Sequence, residues 1–307
     1  MTKRRAHGRL LDGILLLDKP VGMSSNKALQ LTKSIYYAKK AGHTGSLDPL
    51  ATGMLPLCFG EATKFSQFLL DADKHYQVVA QLGVRTDTGD SEGKVIATEK
   101  TTHIDVEDIE RVLTDFRGTI RQVPSMFSAL KHQGVPLYKL ARQGIEVQRQ
   151  PRGVTIQQLS LLAFDQGNAT LSLDVKCSKG TYVRNLVDDI GVMLGCGAHV
   201  ITLRRLAVGE FAAVDMVTLV RLDALRKEEA FTQLDALLLP LHRIFQKLPQ
   251  IDLTVAAAFR LRQGQVIDEG VGVAAGLATL YDTKGDFIGI GMVKDNGSLV
   301  AKRLLRA

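Results

Sequence analysis

The residues best suited to chemistry lie in one glycine-punctuated stretch, Ala41-Gly42-His43-Thr44-Gly45-Ser46-Leu47-Asp48-Pro49-Leu50-Ala51-Thr52-Gly53. Gly42, Gly45 and Gly53 permit tight turns and close approach of a ligand to the backbone. His43 and Asp48 are its only ionisable side chains, and Pro49 restricts the aspartate to extended or turn geometry. Met54, Leu55, Pro56 and Leu57 follow, so the Asp48 carboxyl is expected to be partly withdrawn from water. A lone carboxyl there takes up a proton unless a nearby cation restores its charged form. An ionised, desolvated aspartate is a candidate nucleophile or general base. The same dipeptide can equally do no more than open a turn, since Asp-Pro is a common turn starter. The stretch is no P-loop, lacking Gly-Lys-Ser/Thr, and no G-x-S-x-G elbow, and no second acid is identifiable that would make a paired-carboxylate glycosidase.

The elements that must position this stretch are legible on both sides. Ile14 to Leu17 reads as a buried strand ended by Asp18-Lys19-Pro20 and Gly22, after which Ser24 and Ser25 offer N-caps for a helix near 26–37. Residues 61–70 read as helical, and Tyr76 to Leu82 alternates as a strand does. Val106, Ile109, Val112, Leu113 and Phe116 share one helical face. Val154 to Phe164 and Ala169 to Cys177 read as strands joined by a turn at 165–168. Val183, Leu186, Val187, Ile190 and Leu194 line one face of a helix over 181–194. This mixture predicts an α+β domain with a mixed, largely antiparallel sheet flanked by helices. Near Leu248-Pro249 the texture changes to a helical segment at 254–263 and short β-like runs with turns at 282–286 and 295–297, the pattern of a small β-barrel-like module. The expected division is therefore 1–248 and 249–307.

The chain has 307 residues with 39 Lys+Arg against 32 Asp+Glu, a net charge of +7, and that excess is uneven. Residues 1–40 carry nine basic side chains (Lys3, Arg4, Arg5, Arg9, Lys19, Lys27, Lys33, Lys39, Lys40) against Asp12 and Asp18. A second basic island holds Lys131, Lys139, Arg142, Arg149 and Arg152 against Glu146, and residues 41–130 between them are net acidic. Clustered cations on such a background suit a polyanion, because they release counterions from a phosphate backbone. A solvated basic face would look the same. No apolar run approaches the roughly 18 residues of a membrane span, and the basic start lacks the apolar core of a secretory signal. Cys58, Cys177 and Cys196 are isolated, which predicts half-buried thiols in a reducing compartment. Their spacing and that of the seven His argue against a structural metal.

GHTGSLDPLATGMLPLCFGEATKFSQFLLDADKHY closely resembles the TruB family of pseudouridine synthases. The likeness continues through Leu17 to Ser25, Val123 to Lys131, Cys177 to Arg184, Gly195 to Val200 and Leu203-Arg204-Arg205, in order over residues 13–207. The last 57 residues resemble, more loosely, the PUA-type RNA-binding module that follows the catalytic domain in that family, through Leu261 to Val266. Phe127 stands where relatives often carry Tyr. The resemblance implies a cytoplasmic, monomeric enzyme that isomerises uridine 55 in the T loop of tRNA, cutting the N-glycosidic bond and making a C–C bond without metal, nucleotide or redox cofactor. It implies that Asp48 is the catalytic aspartate, that Arg184 pairs with it, and that Tyr76 stacks on the base and assists proton removal. It further implies that Tyr182, Leu203 and Gly42 border the substrate and that His43 fills the gap left by the extruded nucleotide. Lys19 and Pro20 are then expected on the RNA-facing side, and Lys131, Arg142 and Arg152 on a segment that embraces the stem-loop. A different reading from the same charges is a tRNA-binding or tRNA-folding protein whose catalysis is secondary.

Overall fold

A computed structural model describes residues 8–268 and 272–306; Lys3, Arg4 and Arg5 of the first basic island lie outside the described residues. A nine-stranded mixed sheet forms the centre. Its strands run in the order Val217–Thr218, Gly13–Lys19, Thr52–Phe59, Ala198–Val208, Lys74–Leu82, Thr170–Cys177, Arg152–Asp165, Gly118–Gln122, with Ala41–His43 pairing beside Thr52–Phe59. Only two of these pairings are parallel, Gly13–Lys19 with Val217–Thr218 and Ala198–Val208 with Thr52–Phe59. The α+β reading with a largely antiparallel sheet therefore holds.

Ile14 to Leu17 is apolar at every position because the strand is covered on both faces. Leu15 and Leu17 pack into one core with the helices Ser25–Ile35 and Val183–Met193, whereas Ile14 and Leu16 pack into a second with Phe65 and Phe245. Ser24 caps the helix Ser25–Ile35, its side chain accepting from the Lys27 amide. The helix expected at 61–70 is split into a 3₁₀ turn, Gly60–Phe65, and a short helix, Ser66–Asp71. Cys58, Cys177 and Cys196 are fully buried rather than half-buried.

Beyond Pro249 a mixed four-stranded sheet, in the order Gln250–Asp252, Gly276–Tyr281, Phe287–Val293, Leu299–Leu304, encloses its own core with the helix Val255–Arg262. Its first and last strands share no pairing among the described residues. Phe287 reaches Phe65 and Phe245 of the larger part, ring centroids 6.0 and 6.1 Å apart, and so joins the two cores. No helix among the described residues is long and apolar enough to cross a membrane.

Candidate active site

Asp48 sits at the turn between Ala41–His43 and Thr52–Phe59, and the turn is fastened at almost every residue. Ser25 Oγ accepts from the Leu47 amide at 2.7 Å and donates to the Leu47 carbonyl at 2.9 Å. The Gly22 amide donates to the Pro49 carbonyl at 2.8 Å, and the Ala51 amide to the Asp48 carbonyl at 3.1 Å. Lys19 is wholly buried and donates to the carbonyls of Pro20 (2.8 Å), Met23 (2.7 Å) and, more weakly, Pro49 (3.4 Å). Burial pulls its pKa down to about 8, opposed by the nearby Asp48 carboxylate. This corrects the expectation of an RNA-facing lysine: no phosphate can reach it, and its charge tethers the Asp48 turn. Lys19→Met is therefore expected to lower the catalytic rate about 10²-fold through misplacement of Asp48. The slope of RNA affinity against salt should stay unchanged, as filter binding between low and high salt will show.

Arg184 enters from the first turn of the helix Val183–Met193. It is 5% exposed, and its Nε lies 2.9 Å from Asp48 Oδ2. Nη1 donates to the Thr88 carbonyl at 2.7 Å and lies 3.3 Å from Asp90 Oδ2, while Nη2 donates to the Phe127 carbonyl at 2.9 Å. One guanidinium thus ties three chain segments to its own helix. Phe127 serves through its carbonyl, so the ring in place of a phenol leaves this contact intact. Asp90 is 3% exposed and held by Thr88 Oγ1 at 2.6 Å and the Glu92 amide at 3.1 Å. Burial raises the Asp48 pKa above the usual carboxylate range; Arg184 pulls it down, Asp90 pushes it further up, and Lys19 pulls it down.

A cavity of about 300 Å³ opens on this pair. Asp48, Arg184, Tyr76, Tyr182 and Leu203 all line it, together with Lys74, Ser128 and Arg205. Gln122 sets the Tyr182 backbone: its amide nitrogen donates to the Tyr182 carbonyl at 3.0 Å, and its oxygen accepts from the Tyr182 amide at 2.8 Å. Arg152 lies over the Tyr182 ring at 5.1 Å and donates to the Gly180 carbonyl, which puts it at the cavity's rim. Lys131 and Arg142 are exposed on the neighbouring segment. His43, Gly42, Lys19 and Pro20 do not line the cavity. The His43 Nδ1 is buried without a partner, and burial, then Arg205, lowers its pKa. Gly42 faces open space, since a Cβ there would meet nothing within 4 Å. Cavities of about 410 Å³ elsewhere, one beside Phe68 and Phe245 and one beside Pro124 and Arg149, are larger, but their acidic residues are exposed.

Reasoning from the sequence missed Asp90, Lys74, Ser128 and Arg205. Lys74 is 8% exposed and spans the end of Ser66–Asp71, donating to the Leu69 carbonyl at 3.3 Å and the Leu70 carbonyl at 2.7 Å. Ser128 Oγ is buried and unpartnered on the cavity wall. Asp90 had a signal in Asp87-Thr88-Gly89-Asp90, a turn whose acid cannot remain buried without a cation.

Three family models match in succession: TruB family pseudouridylate synthase (N terminal domain) over residues 33–183, tRNA pseudouridylate synthase B C-terminal domain over 184–246, and pseudouridine synthase II TruB, C-terminal, over 249–305. A protein of Coxiella burnetii (strain Dugway 5J108-111) named tRNA pseudouridine synthase B is 51% identical over 298 residues, 97% of this chain and 96% of that one. The chain belongs to the TruB family of pseudouridylate synthases. The Vibrio cholerae (strain M66-2) protein of the same name is 49% identical over 311 residues, 98% of each chain. Membership makes this TruB-family chain a pseudouridine synthase, an isomerase. The fold recurs in a solved structure of a Cbf5-Nop10-Gar1 complex, with a TM-score of 0.74, 24% identity and coverage of 97% of this chain and 85% of that one.

Proposed function

We propose that this enzyme isomerises uridine 55 in the T loop of tRNA, with Asp48 as its catalytic aspartate. The observation that carries the reading is the 2.9 Å pair of a half-buried Asp48 and a buried Arg184 on a cavity walled by Tyr76, Tyr182 and Leu203. The relatives' name, tRNA pseudouridine synthase B, supports tRNA as substrate. A base inside a folded loop must be extruded to reach Asp48, at a cost of a few kcal/mol. Tyr76 and Tyr182 offer aromatic faces to receive it, and Arg184 keeps the carboxylate ionised and aimed. Arg152, Lys131 and Arg142 hold the stem-loop backbone, and His43 and Gly42, just outside the cavity, face the RNA it leaves.

The division into a catalytic part, 1–248, and a PUA-like RNA-binding part, 249–307, belongs to the same proposal, as do a cytoplasmic location and a monomeric state. Asp48 also separates catalysis from a purely tRNA-folding role, since a folding surface has no need of a carboxylate withdrawn from water. Isomerisation replaces the C5–H bond of uracil with C5–C1′, so it must release the C5 hydrogen. Tritium from a tRNA transcript labelled at uridine C5 is expected to enter water at about one equivalent per tRNA. Tight binding without tritium release would instead establish the folding role.

A further inference from the structure

We propose that Arg205 is a further catalytic residue: its third guanidinium nitrogen, Nη1, donates to a carbonyl oxygen of the target uracil and stabilises that base while it is detached as an anion. The inference rests on the reading of the cavity as a uridine site and assigns a second cation there a task distinct from that of Arg184.

Arg205 is 1% exposed, in the strand Ala198–Val208 at the middle of the sheet, where it is in register with Gly53 on one side and Tyr76 on the other. Its Nε donates to the Met54 carbonyl at 2.7 Å and its Nη2 to the Gly45 carbonyl at 2.9 Å. The third nitrogen, Nη1, has no carbonyl or carboxylate acceptor among the described residues, and the Tyr76 hydroxyl is the side-chain oxygen beside the guanidinium. The arginines with comparable work do have carboxylates: Arg184 has Asp48 and Asp90, and Arg204 is held by both oxygens of Asp18 at 3.0 and 2.8 Å. No carboxylate pairs with Arg205 among the described residues, although it is the most deeply buried cation on the cavity wall.

A buried cation without a counterion is costly, and what relieves it is negative charge arriving in the cavity. The field of Arg205 is felt all round the site, where it helps lower the proton affinity of Lys19, Lys74 and His43. The two carbonyl bonds fix the plane of the guanidinium, so Nη1 is aimed before any substrate enters, the property that makes a donor effective toward developing charge. Gly45, at φ +73°, keeps that nitrogen uncovered: a Cβ there would stand 3.6 Å from Nη1.

Detaching the base breaks N1–C1′ and leaves the bonding pair on uracil, whose charge spreads over N1, O2 and O4. Asp48 either forms a bond to C1′ or takes the C2′ proton. As the new C5–C1′ bond forms from ring electrons, the Asp48–C1′ bond breaks or the C2′ proton returns from Asp48; the C5 proton then leaves to a base and N1 takes up a proton from water. Arg205 transfers no proton; its hydrogen bond strengthens as the carbonyl oxygen gains charge and so acts on the barrier more than on binding.

The test compares Arg205→Gln with the unaltered enzyme on a T-loop hairpin carrying uridine or 5-fluorouridine at the target, measuring single-turnover glycosidic cleavage. Fluorine makes the base a better leaving anion. The expected loss is about 10²-fold with uridine and about tenfold with 5-fluorouridine, with hairpin affinity and its salt slope held within about twofold. Equal losses on the two substrates, or a loss confined to affinity as a phosphate contact would give, overturns the proposal. Should Arg205→Gln not fold, ¹⁹F NMR of the fluorinated hairpin on Asp48→Asn, with Arg205 intact, reads the same field. Ionisation of the bound base at N3 is expected about one pH unit lower than in the free hairpin, and an unshifted or raised value overturns the proposal. An unaltered enzyme that makes no pseudouridine from the uridine hairpin contradicts the underlying reading instead, before any Arg205 variant is made.

Discussion

Asp48→Asn is expected to abolish pseudouridine formation, with a loss on the order of 10⁴-fold or more, while hairpin affinity changes little. Asparagine keeps the shape of the side chain and leaves the turn held by Ser25, Gly22 and Lys19, none of which bonds the carboxylate. It removes the charge that can serve as nucleophile or base. The stability effect runs the opposite way. A carboxyl whose folded-state pKa is raised by burial favours the fold most below its unfolded pKa, and that contribution is lost as pH rises through the folded pKa. At neutral pH the ionised Asp48 is thus a cost to the fold, and Asp48→Asn should melt no lower than the unaltered protein. A calorimetric scan beside a single-turnover assay checks both halves: dead and lower-melting would mean a structural aspartate, dead and equally stable means a chemical one.

The second large effect is at the Arg184 junction. Arg184→Lys is expected to cost about 10²- to 10³-fold in rate, because an ammonium on a flexible stem cannot hold Asp48, Asp90 and the Thr88 and Phe127 carbonyls together. Asp90→Asn separates geometry from charge. Asp90 pushes the Asp48 pKa up, so its neutralisation should move the acid limb of the single-turnover rate to lower pH. As the proposed nucleophile or base Asp48 would have to be ionised, so the rate is expected to fall as pH drops through its pKa, and the unaltered enzyme should lose activity at a higher pH than an ordinary carboxylate would. A pH profile in which Asp90→Asn leaves the limb in place would show that Asp90 does not act on Asp48 through charge.

Most of the elements around the site are legible in the sequence because their patterns are local. The Ser24 cap, the apolar Ile14 to Leu17 run and the one-sided helix carrying Arg184 each follow from periodicity or capping chemistry. The strand Ala198–Val208 is not legible, although it is central and carries Leu203 and Arg205. Irregularities at Val200/Thr202 and Arg205/Ala207 break its alternation, and the consecutive Arg204 and Arg205 carry no apolar signal of a buried strand. Arg205 can be buried only because carbonyls of Met54 and Gly45, more than a hundred residues away, come to meet it. Lys19 misleads for the same reason. Its neighbours in sequence are a turn, and nothing local shows that the turn folds over it against Pro49. Asp48 and Arg184 are named by resemblance, but their 2.9 Å pairing, and the part of Asp90 in it, come from tertiary packing.

The most direct measurement is nucleotide-resolution mapping of pseudouridine in an unmodified tRNA transcript after incubation with the enzyme. The account predicts one new pseudouridine, at position 55, made by the unaltered protein and absent with Asp48→Asn. Pseudouridine at another position only, or equal conversion at 55 by Asp48→Asn, would contradict it.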